Sequence, residues 1–256
     1  HAVLQAALKQ AVKERLIPYN PCENCRIPPK DKKEMTILPP EKIGRYLQEA
    51  KKYGVLPMFY LELSSGLRRG ELLALQWTDL NVKERILTVN KQVTRMEGEL
   101  DVTEPKTKNS VRKVALSQQA VDLLVQEHEQ HPDNPILFPS PRTGGYWSPD
   151  AVSRINRKLL KSAGIEEHVR FHDLRHTFAT MAISSGVDVK TLSSMLGHFS
   201  AGFTLDTYTH ITNDMQRGAA EKIGGFMESV TAANTPETPD PPEQSRCKVI
   251  PFEKVG

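Results

Sequence analysis

Apolar residues recur with a helical period through most of this 256-residue chain, and one stretch breaks the pattern. Between residues 85 and 117 apolar and polar residues alternate, with many β-branched side chains, in the segments RILTVNKQVTR, ELDVTEPK and SVRKVAL. Alternation is typical of half-buried strands, and turn residues separate the segments near Glu97-Gly98 and Lys108-Asn109-Ser110. We therefore predict a mainly α-helical protein with a small three-stranded antiparallel β-sheet.

Helices are predicted on both sides of this sheet from the spacing of apolar residues and from their end signals. Before the sheet they cover residues 2–17, 40–53, 55–65 and 67–76. After the sheet they cover residues 118–130, 149–163, 172–185, 189–196, 203–210 and 214–230. Gly66 separates two of them, and Pro40 suits the first turn of another.

Composition divides the chain into three parts. Residues 18–34 contain four prolines and a run of charges, which is typical of a linker. Residues 231–256 are rich in proline and poor in apolar side chains, so we expect a disordered tail. The apolar stripe of residues 2–17 has no partner nearby, and the chain begins with His1. We therefore expect residues 1–34 to be the end of a preceding helical domain with its linker, and residues 35–230 to form one compact domain.

The overall composition excludes several classes of protein. Hydrophobic residues make up 38% and charged residues 25%, as in ordinary globular proteins. No apolar run approaches the roughly 20 residues of a membrane-spanning helix. Cys22 and Cys25 form a CxxC flanked by prolines, without the further ligands that a zinc site needs, so we interpret them as reduced thiols in a loop. Reduced thiols fit a cytoplasmic protein, and a membrane protein is excluded.

Two basic clusters precede the middle of the chain. Arg68 and Arg69 stand between glycines in SGLRRGE, and an arginine presents a planar fork that matches two phosphate oxygens. Lys106 and Lys108 lie in the predicted turn PKTKNS, with Arg112 and Lys113 behind them. Each cluster alone is also compatible with a solvated surface, because lysines at hairpin tips commonly serve solubility.

A third cluster, of histidines and an arginine, is harder to explain as a solvated surface. In FHDLRHTFAT, a helix places His172, Arg175 and His176 on one face, because residues three and four apart are neighbours. Downstream follow His198 in LGH and Tyr208 in LDTYTH. Polar and charged groups are costly to gather in a core without a role, so this set indicates a functional site.

In this order, SGLRRGELLALQW, PKTKNSVRKVALS, FHDLRHTFAT and LGHFSAGFTLDTYTH resemble the motifs of the tyrosine recombinase (phage integrase) family. The sequences of these motifs are most similar to those of integrases of phages and conjugative transposons of Gram-positive bacteria. The resemblance spans residues 36–230 and implies the catalytic-domain fold of that family. It implies site-specific cleavage and rejoining of double-stranded DNA at the ends of a mobile element and at its target site. It also implies that residues 1–34 are the end of a helical DNA-binding domain with its linker. A protein of this family would act in the bacterial cytoplasm, at the nucleoid.

The resemblance also assigns roles residue by residue. Arg68 and Arg175, helped by His198, would bind the non-bridging oxygens of the scissile phosphate. Tyr208 would attack the phosphorus, His172 would assist as general base, and Lys106 would protonate the departing 5′ oxygen. Lys108 is the alternative to Lys106. Arg69 falls outside the motif, and Glu71 matches a residue that fixes Arg68. The implied catalytic set is Arg68, Lys106, His172, Arg175, His198 and Tyr208.

Other interpretations stay open at this point. His172 and His176 form an HxxxH pair on a helix, so with His198 they would suit a zinc-dependent hydrolase. A type IB topoisomerase uses related phosphotyrosine chemistry, and a catalytically silent DNA-binding protein would share the basic clusters. On the recombinase interpretation, His176 is a structural, partly buried histidine.

The last predicted helix, residues 214–230, carries an apolar stripe. Gly224 and Gly225 would each cost about 1 kcal/mol in an isolated helix, so the segment needs a docking surface. That surface is either its own core or, as the resemblance implies, a neighbouring copy in a dimer to tetramer on DNA.

Overall fold

A computed structural model describes residues 1–28, 36–96, 98–104, 111–197, 202 and 220–230. Its helices before the strands are α1 (Ala2–Lys13), α2 (Pro40–Lys52), α3 (Leu56–Ser65) and α4 (Arg69–Ala74), followed by a short 3-10 helix (Trp77–Asp79). Those after the strands are α5 (Gln118–Glu129), α6 (Pro149–Ser162), α7 (Phe171–Ser184) and α8 (Val189–Leu196), and residues 220–230 are also helical. The predicted mainly helical class is confirmed. The predicted helix 203–210, residues 214–219 and the tail 231–256 lie outside the described residues.

Among the described residues, the strands form two small antiparallel sheets. One has three strands in the order β1 (Leu80–Asn81), β2 (Ile86–Val89) and β5 (Arg112–Ala115), with Leu87 paired to Val114. The other is a hairpin of β3 (Gln92–Met96) and β4 (Glu99–Thr103).

The three-stranded sheet therefore differs in membership from the one predicted. The segment expected to be a single strand from residue 85 is divided, and its halves pair with different partners. At the division, the Lys91 ammonium donates to Asp79 Oδ1 at 2.8 Å and to Gln76 Oε1 at 3.1 Å. Lys91, which lies between β2 and β3, thus anchors the chain to the 3-10 helix. A local sequence pattern cannot reveal it, because the partners lie at least 12 residues away.

Helix α3 lies at the centre of the core. Its Phe59 is fully buried and makes edge-to-face contacts with Tyr46 of α2 and Phe171 of α7, at ring-centroid distances of 5.8 and 5.7 Å. The Tyr46 hydroxyl donates to Asn156 Oδ1 of α6 at 2.6 Å, so that its buried polar end is satisfied. Aromatic packing thus joins the helices on which the candidate site is built.

Two helices present apolar side chains to solvent. None of the residues of α1 is buried, and Val3 is 85% exposed. In the helix of residues 220–230, Ile223 and Phe226 are 63% and 67% exposed. Within the described part of the chain, no helix is both long enough and apolar enough to cross a membrane.

Gly66 links the core to the site and generates the first prediction. It ends α3 with a φ of 60°, and a Cβ there would lie 2.3 Å from Cδ1 of Phe178. Gly66→Ala is therefore expected to lower the free energy of unfolding by about 2–4 kcal/mol, because it combines a clash with a strained backbone. Urea denaturation measures the change.

The matched control for that substitution is Gly44→Ala in α2. A Cβ on Gly44 would meet no atom within 4 Å, so alanine should stabilise the helix by about 0.5–1 kcal/mol. Equal effects of the two substitutions would contradict the packing described at Gly66.

Candidate active site

The site begins where α3 gives way to α4. Gly66 takes the left-handed conformation that ends α3, and Arg68 is the extended residue that precedes α4. Glu71 lies in the first turn of α4, and its Oε2 accepts the backbone N–H of Arg68 at 2.9 Å. Its Oε1 accepts Nη1 of Arg68 at 2.7 Å. The spacing of SGLRRGE thus fixes both ends of Arg68 through one carboxylate.

Glu71 is buried and is shared by a second arginine. Arg112 of β5 donates from Nη2 to Glu71 Oε2 at 2.8 Å and from Nη1 to Oε1 at 3.1 Å. Burial by itself would raise the pKa of Glu71, but the hydrogen bonds and charges of Arg112 and Arg68 outweigh it and lower the pKa. Glu71 is therefore a carboxylate at neutral pH.

Helix α7 supplies the next two side chains. Arg175 is buried, and it donates from Nη1 to the carbonyl oxygen of Gly66 and from Nη2 to that of Leu196, both at 2.6 Å. Burial, followed by the charge of Arg68, lowers the pKa of Arg175 to about 10, which leaves the guanidinium charged at neutral pH. His172 lies one turn earlier on α7 and is exposed. Partial desolvation and the charge of Arg175 lower its pKa, so its imidazole is neutral and able to accept a proton.

Three arginines meet at the carboxyl end of α8. Arg112 Nε donates to the carbonyl oxygen of Met195 at 2.6 Å, Arg175 Nη2 to that of Leu196 and Arg68 Nη2 to that of Gly197 at 2.9 Å. The last carbonyls of a helix have no partner within it and carry a partial negative charge, which favours cations there. Since His198 directly follows Gly197, this arrangement fixes the start of the LGH segment beside Arg68 and Arg175.

Two residues from the sequence clusters lie differently. Arg69 turns towards α6, where its Nη1 donates to Ser153 Oγ at 2.7 Å. His176 is half-buried with its ring edge-on to that of His172, at a centroid distance of 5.2 Å. Burial, followed by His172, lowers the pKa of His176 to about 4.

Four of the predicted site residues lie outside the described residues: Lys106, its alternative Lys108, His198 and Tyr208. The described residues bring together Arg68, Glu71 and Arg175, with His172 close by on α7. Among the described residues, no group of three His, Cys, Asp or Glu side chains could hold a metal. The zinc interpretation therefore depends on His198, which lies outside the described residues.

Sequence reasoning missed two buried residues. Arg112 was noted only as part of a basic turn. Its alternation with Val114 in β5 places both on the core-facing side, and an inward arginine requires a carboxylate. Glu62, in the apolar helix α3, carries no local signal of its burial.

Glu62 lies fully buried beneath the arginines. Neither carboxyl oxygen has a hydrogen-bond partner within the described part of the chain. Burial raises the pKa of Glu62 well above its ordinary value, and Glu71 adds to the shift, whereas Arg175 and Arg112 oppose it. The buried site therefore favours the protonated, neutral form of Glu62 more than water does.

Comparison with known proteins identifies the family. Residues 38–215 match the model of the phage integrase family. The chain belongs to the phage integrase family. His172 and the three arginines that meet at the end of α8 all lie within the matched residues.

Several curated members of the family resemble the chain. The ICEBs1 integrase of Bacillus subtilis is 31% identical over 230 residues, which cover 85% of this chain and 62% of that protein. The XerC-like tyrosine recombinase of Caldanaerobacter subterraneus is 29% identical, over 88% of this chain and 64% of that protein. The integrase of Staphylococcus phage L54a is 30% identical, over 62% and 48%. The chain thus spans less than two thirds of each of these relatives.

Solved structures of the family share the fold. The Tn1549 transposon integrase in complex with transposon right end DNA has a TM-score of 0.72 at 23% identity, covering 86% of this chain and 76% of that one. A lambda integrase dimer bound to a COC' core site has a TM-score of 0.59 at 22% identity, covering 80% and 57%. Neither the zinc hydrolase nor the topoisomerase alternative gains support from these comparisons.

The buried Glu62 yields a prediction about pH. The native state holds the Glu62 proton above the pH at which the unfolded chain releases it, so this group makes wild type less stable as pH rises. Glu62→Gln cannot lose a proton there. Its free energy of unfolding relative to wild type should therefore increase from pH 5 to pH 8, by up to about 1.4 kcal/mol per pH unit while native Glu62 stays protonated.

Urea denaturation of both proteins across this range measures the difference. The control is Glu129→Gln on the exposed face of α5, which should follow wild type at every pH. Parallel curves for Glu62→Gln and wild type would show that Glu62 is ionised in the native state.

Proposed function

We propose that this chain is the catalytic part of a site-specific DNA recombinase that integrates and excises a mobile element. The observation that carries the proposal is the paired arginines Arg68 and Arg175, held beside a neutral His172 and the start of the LGH segment. Their positive charge in a partly desolvated site suits a phosphodiester, whose non-bridging oxygens gain charge during in-line attack. Membership of the phage integrase family supports this chemistry.

In this proposal the phenol oxygen of Tyr208 attacks the scissile phosphorus. The bond between the phosphorus and the 5′ oxygen breaks, and a 3′-phosphotyrosine bond forms. His172 takes the phenol proton and Lys106 gives a proton to the departing 5′ oxygen. Arg68, Arg175 and His198 bind the non-bridging oxygens. A phenol has an ordinary pKa near ~10, so removal of its proton in the transition state makes it a competent nucleophile at neutral pH.

Rejoining is the reverse of this step. A 5′-hydroxyl from a partner duplex attacks the phosphotyrosine, so the energy of the cleaved bond is kept and no nucleotide cofactor is consumed. The scheme itself asks for no metal, because the arginines supply the positive charge.

A basic cleft beside the site supports DNA binding. It has a volume of about 630 Å³ and lies between α6 and the start of α7. Exposed Arg157, His168 and Arg170 line it together with Arg69 and His172. Its three arginines match a phosphate backbone, so binding to double-stranded DNA at element ends and target sites should weaken steeply with salt.

The wider organisation is part of the same proposal. Residues 1–34 would end a helical DNA-binding domain and its linker, residues 35–230 would form the catalytic domain, and residues 231–256 would be a tail. The exposed apolar side chains of residues 220–230 would dock on a neighbouring copy in a dimer to tetramer on DNA. Such an enzyme would act in the bacterial cytoplasm, at the nucleoid.

A covalent trap tests the chemistry. Wild type and Tyr208→Phe are incubated in EDTA with labelled nicked duplexes that carry the element ends, and SDS gels are examined for a shifted band. A band in wild type that is absent from Tyr208→Phe is expected, because phenylalanine lacks the attacking oxygen.

A band that persists in Tyr208→Phe would place the nucleophile elsewhere. Cleavage of the DNA that depends on added zinc and leaves no SDS-resistant band would favour the hydrolase alternative. If the chain gives no band and the longer protein on its native ends also gives none, the recombinase proposal is wrong.

Removal of the last helix tests the assembly. Deletion of residues 214–256 is expected to reduce the number of protomers per DNA site, because it removes the exposed apolar side chains of residues 220–230 that would dock on a neighbouring copy. Light scattering of the DNA complex gives the stoichiometry. The double variant Ile223→Ala/Phe226→Ala should reproduce the loss, and unchanged stoichiometry in both would contradict docking between copies.

A further inference from the structure

Arg112 is a buried arginine that the proposed chemistry leaves without a role. It lies in β5, two residues after the segment 105–110 that carries Lys106, and its side chain is only 5% exposed. A buried guanidinium loses its hydration, and a fold keeps one only where good hydrogen bonds compensate. Its partners therefore indicate what it does.

The first partner is Glu71, to which Arg112 donates hydrogen bonds from two nitrogens, Nη1 and Nη2. Each oxygen of the carboxylate accepts from both arginines: Oε1 from Arg68 Nη1 and Arg112 Nη1, and Oε2 from the Arg68 backbone and Arg112 Nη2. A two-pronged contact fixes the rotation of a carboxylate as well as its position. Because the same oxygens hold Arg68, the orientation of Arg68 depends on Arg112.

The second partner is the carboxyl end of α8. Arg112 Nε donates to the carbonyl oxygen of Met195, and its guanidinium packs against Gly197. A Cβ on Gly197 would lie 3.1 Å from Nη1 of Arg112, so the two groups are in close contact. The side chain of Arg112 thus connects three parts of the site. These are β5, which follows the segment 105–110 with Lys106, the carboxylate that holds Arg68, and Gly197, the residue before His198.

We propose that Arg112 is a positioning residue of the DNA-cleavage reaction. It sets the orientation of Arg68 through Glu71 and fixes the end of α8 from which His198 follows, without touching the DNA itself. The inference rests on the proposed function, since Arg68 and His198 act there on the scissile phosphate.

Two substitutions separate positioning from simple stabilisation. Arg112→Met removes the charge and the fork but keeps an unbranched side chain, and it leaves Glu71 with Arg68 as its remaining arginine partner. Arg112→Lys restores a charge without the fork, because an ammonium is a point charge. The control is Lys113→Met, which removes a cation from the exposed face of the same strand.

The measurement is the rate of covalent complex formation at saturating protein, on nicked duplexes that wild type cleaves, with DNA affinity and melting temperature recorded for each variant. Arg112→Met is expected to slow the reaction roughly tenfold or more, with DNA affinity unchanged within about threefold, because the loss falls on the transition state. Arg112→Lys should recover part of the rate, and Lys113→Met should react like wild type.

A second substrate provides the readout that a purely structural role would not change. A methylphosphonate at the scissile position replaces one non-bridging oxygen by a neutral methyl group, so the reaction depends less on arginine donors. The deficit of Arg112→Met should shrink to within about threefold on this substrate, since its defect lies in charge stabilisation by Arg68.

The outcomes are distinct. An equal deficit on both substrates, or an unchanged rate on the phosphodiester, would overturn the proposal. If Arg112→Met does not fold, Arg112→Lys decides by the same comparison of substrates. Failure of wild type to form any covalent product would count against the proposed function instead, so the two failures can be told apart.

Discussion

The site depends on one carboxylate, Glu71, held between Arg68 and Arg112. A buried carboxylate is unfavourable alone, and so is a buried guanidinium, but each arginine lowers the pKa of Glu71 and Glu71 keeps both arginines in place. Removal of Glu71 would leave two guanidiniums without their shared carboxylate, whereas removal of Arg112 leaves Glu71 with Arg68 as its remaining arginine partner. The carboxylate therefore acts as a fixed point that holds Arg68, whose side chain is 37% exposed, at the surface of the site.

The carboxyl end of α8 completes this arrangement. It offers three successive carbonyl oxygens, and each accepts a hydrogen bond from a different arginine, from β5, from α7 and from the residue before α4. Three like charges repel, and here a helix terminus with partial negative charge offsets that repulsion together with Glu71. The proposed binding of a phosphodiester rests on the same electrostatics, because an anion would join a cluster whose positive charge is only partly compensated.

Much of this could be predicted from the sequence, and the rest could not for physical reasons. Apolar spacing and end signals located α2, α3, α6 and α8 to within a residue or two, because those signals are local. The contact of Arg112 with Glu71 joins residues 41 apart in the chain, so no local pattern contains it. The division of the expected strand at Lys91 and the burial of Glu62 likewise depend on distant partners. Tyr208 and His198 remain predictions from their motifs, since they lie outside the described residues.

The most direct test of the shared carboxylate is a double-mutant cycle on the rate of covalent complex formation, with Glu71→Gln and Arg112→Met made singly and together. If Arg112 acts in part through Glu71, Arg112→Met should slow wild type strongly but slow the Glu71→Gln protein clearly less, because the route through Glu71 has already been weakened and only the contact with the end of α8 is left to lose. An equal slowing in both backgrounds would show that the two residues act independently and would contradict this account.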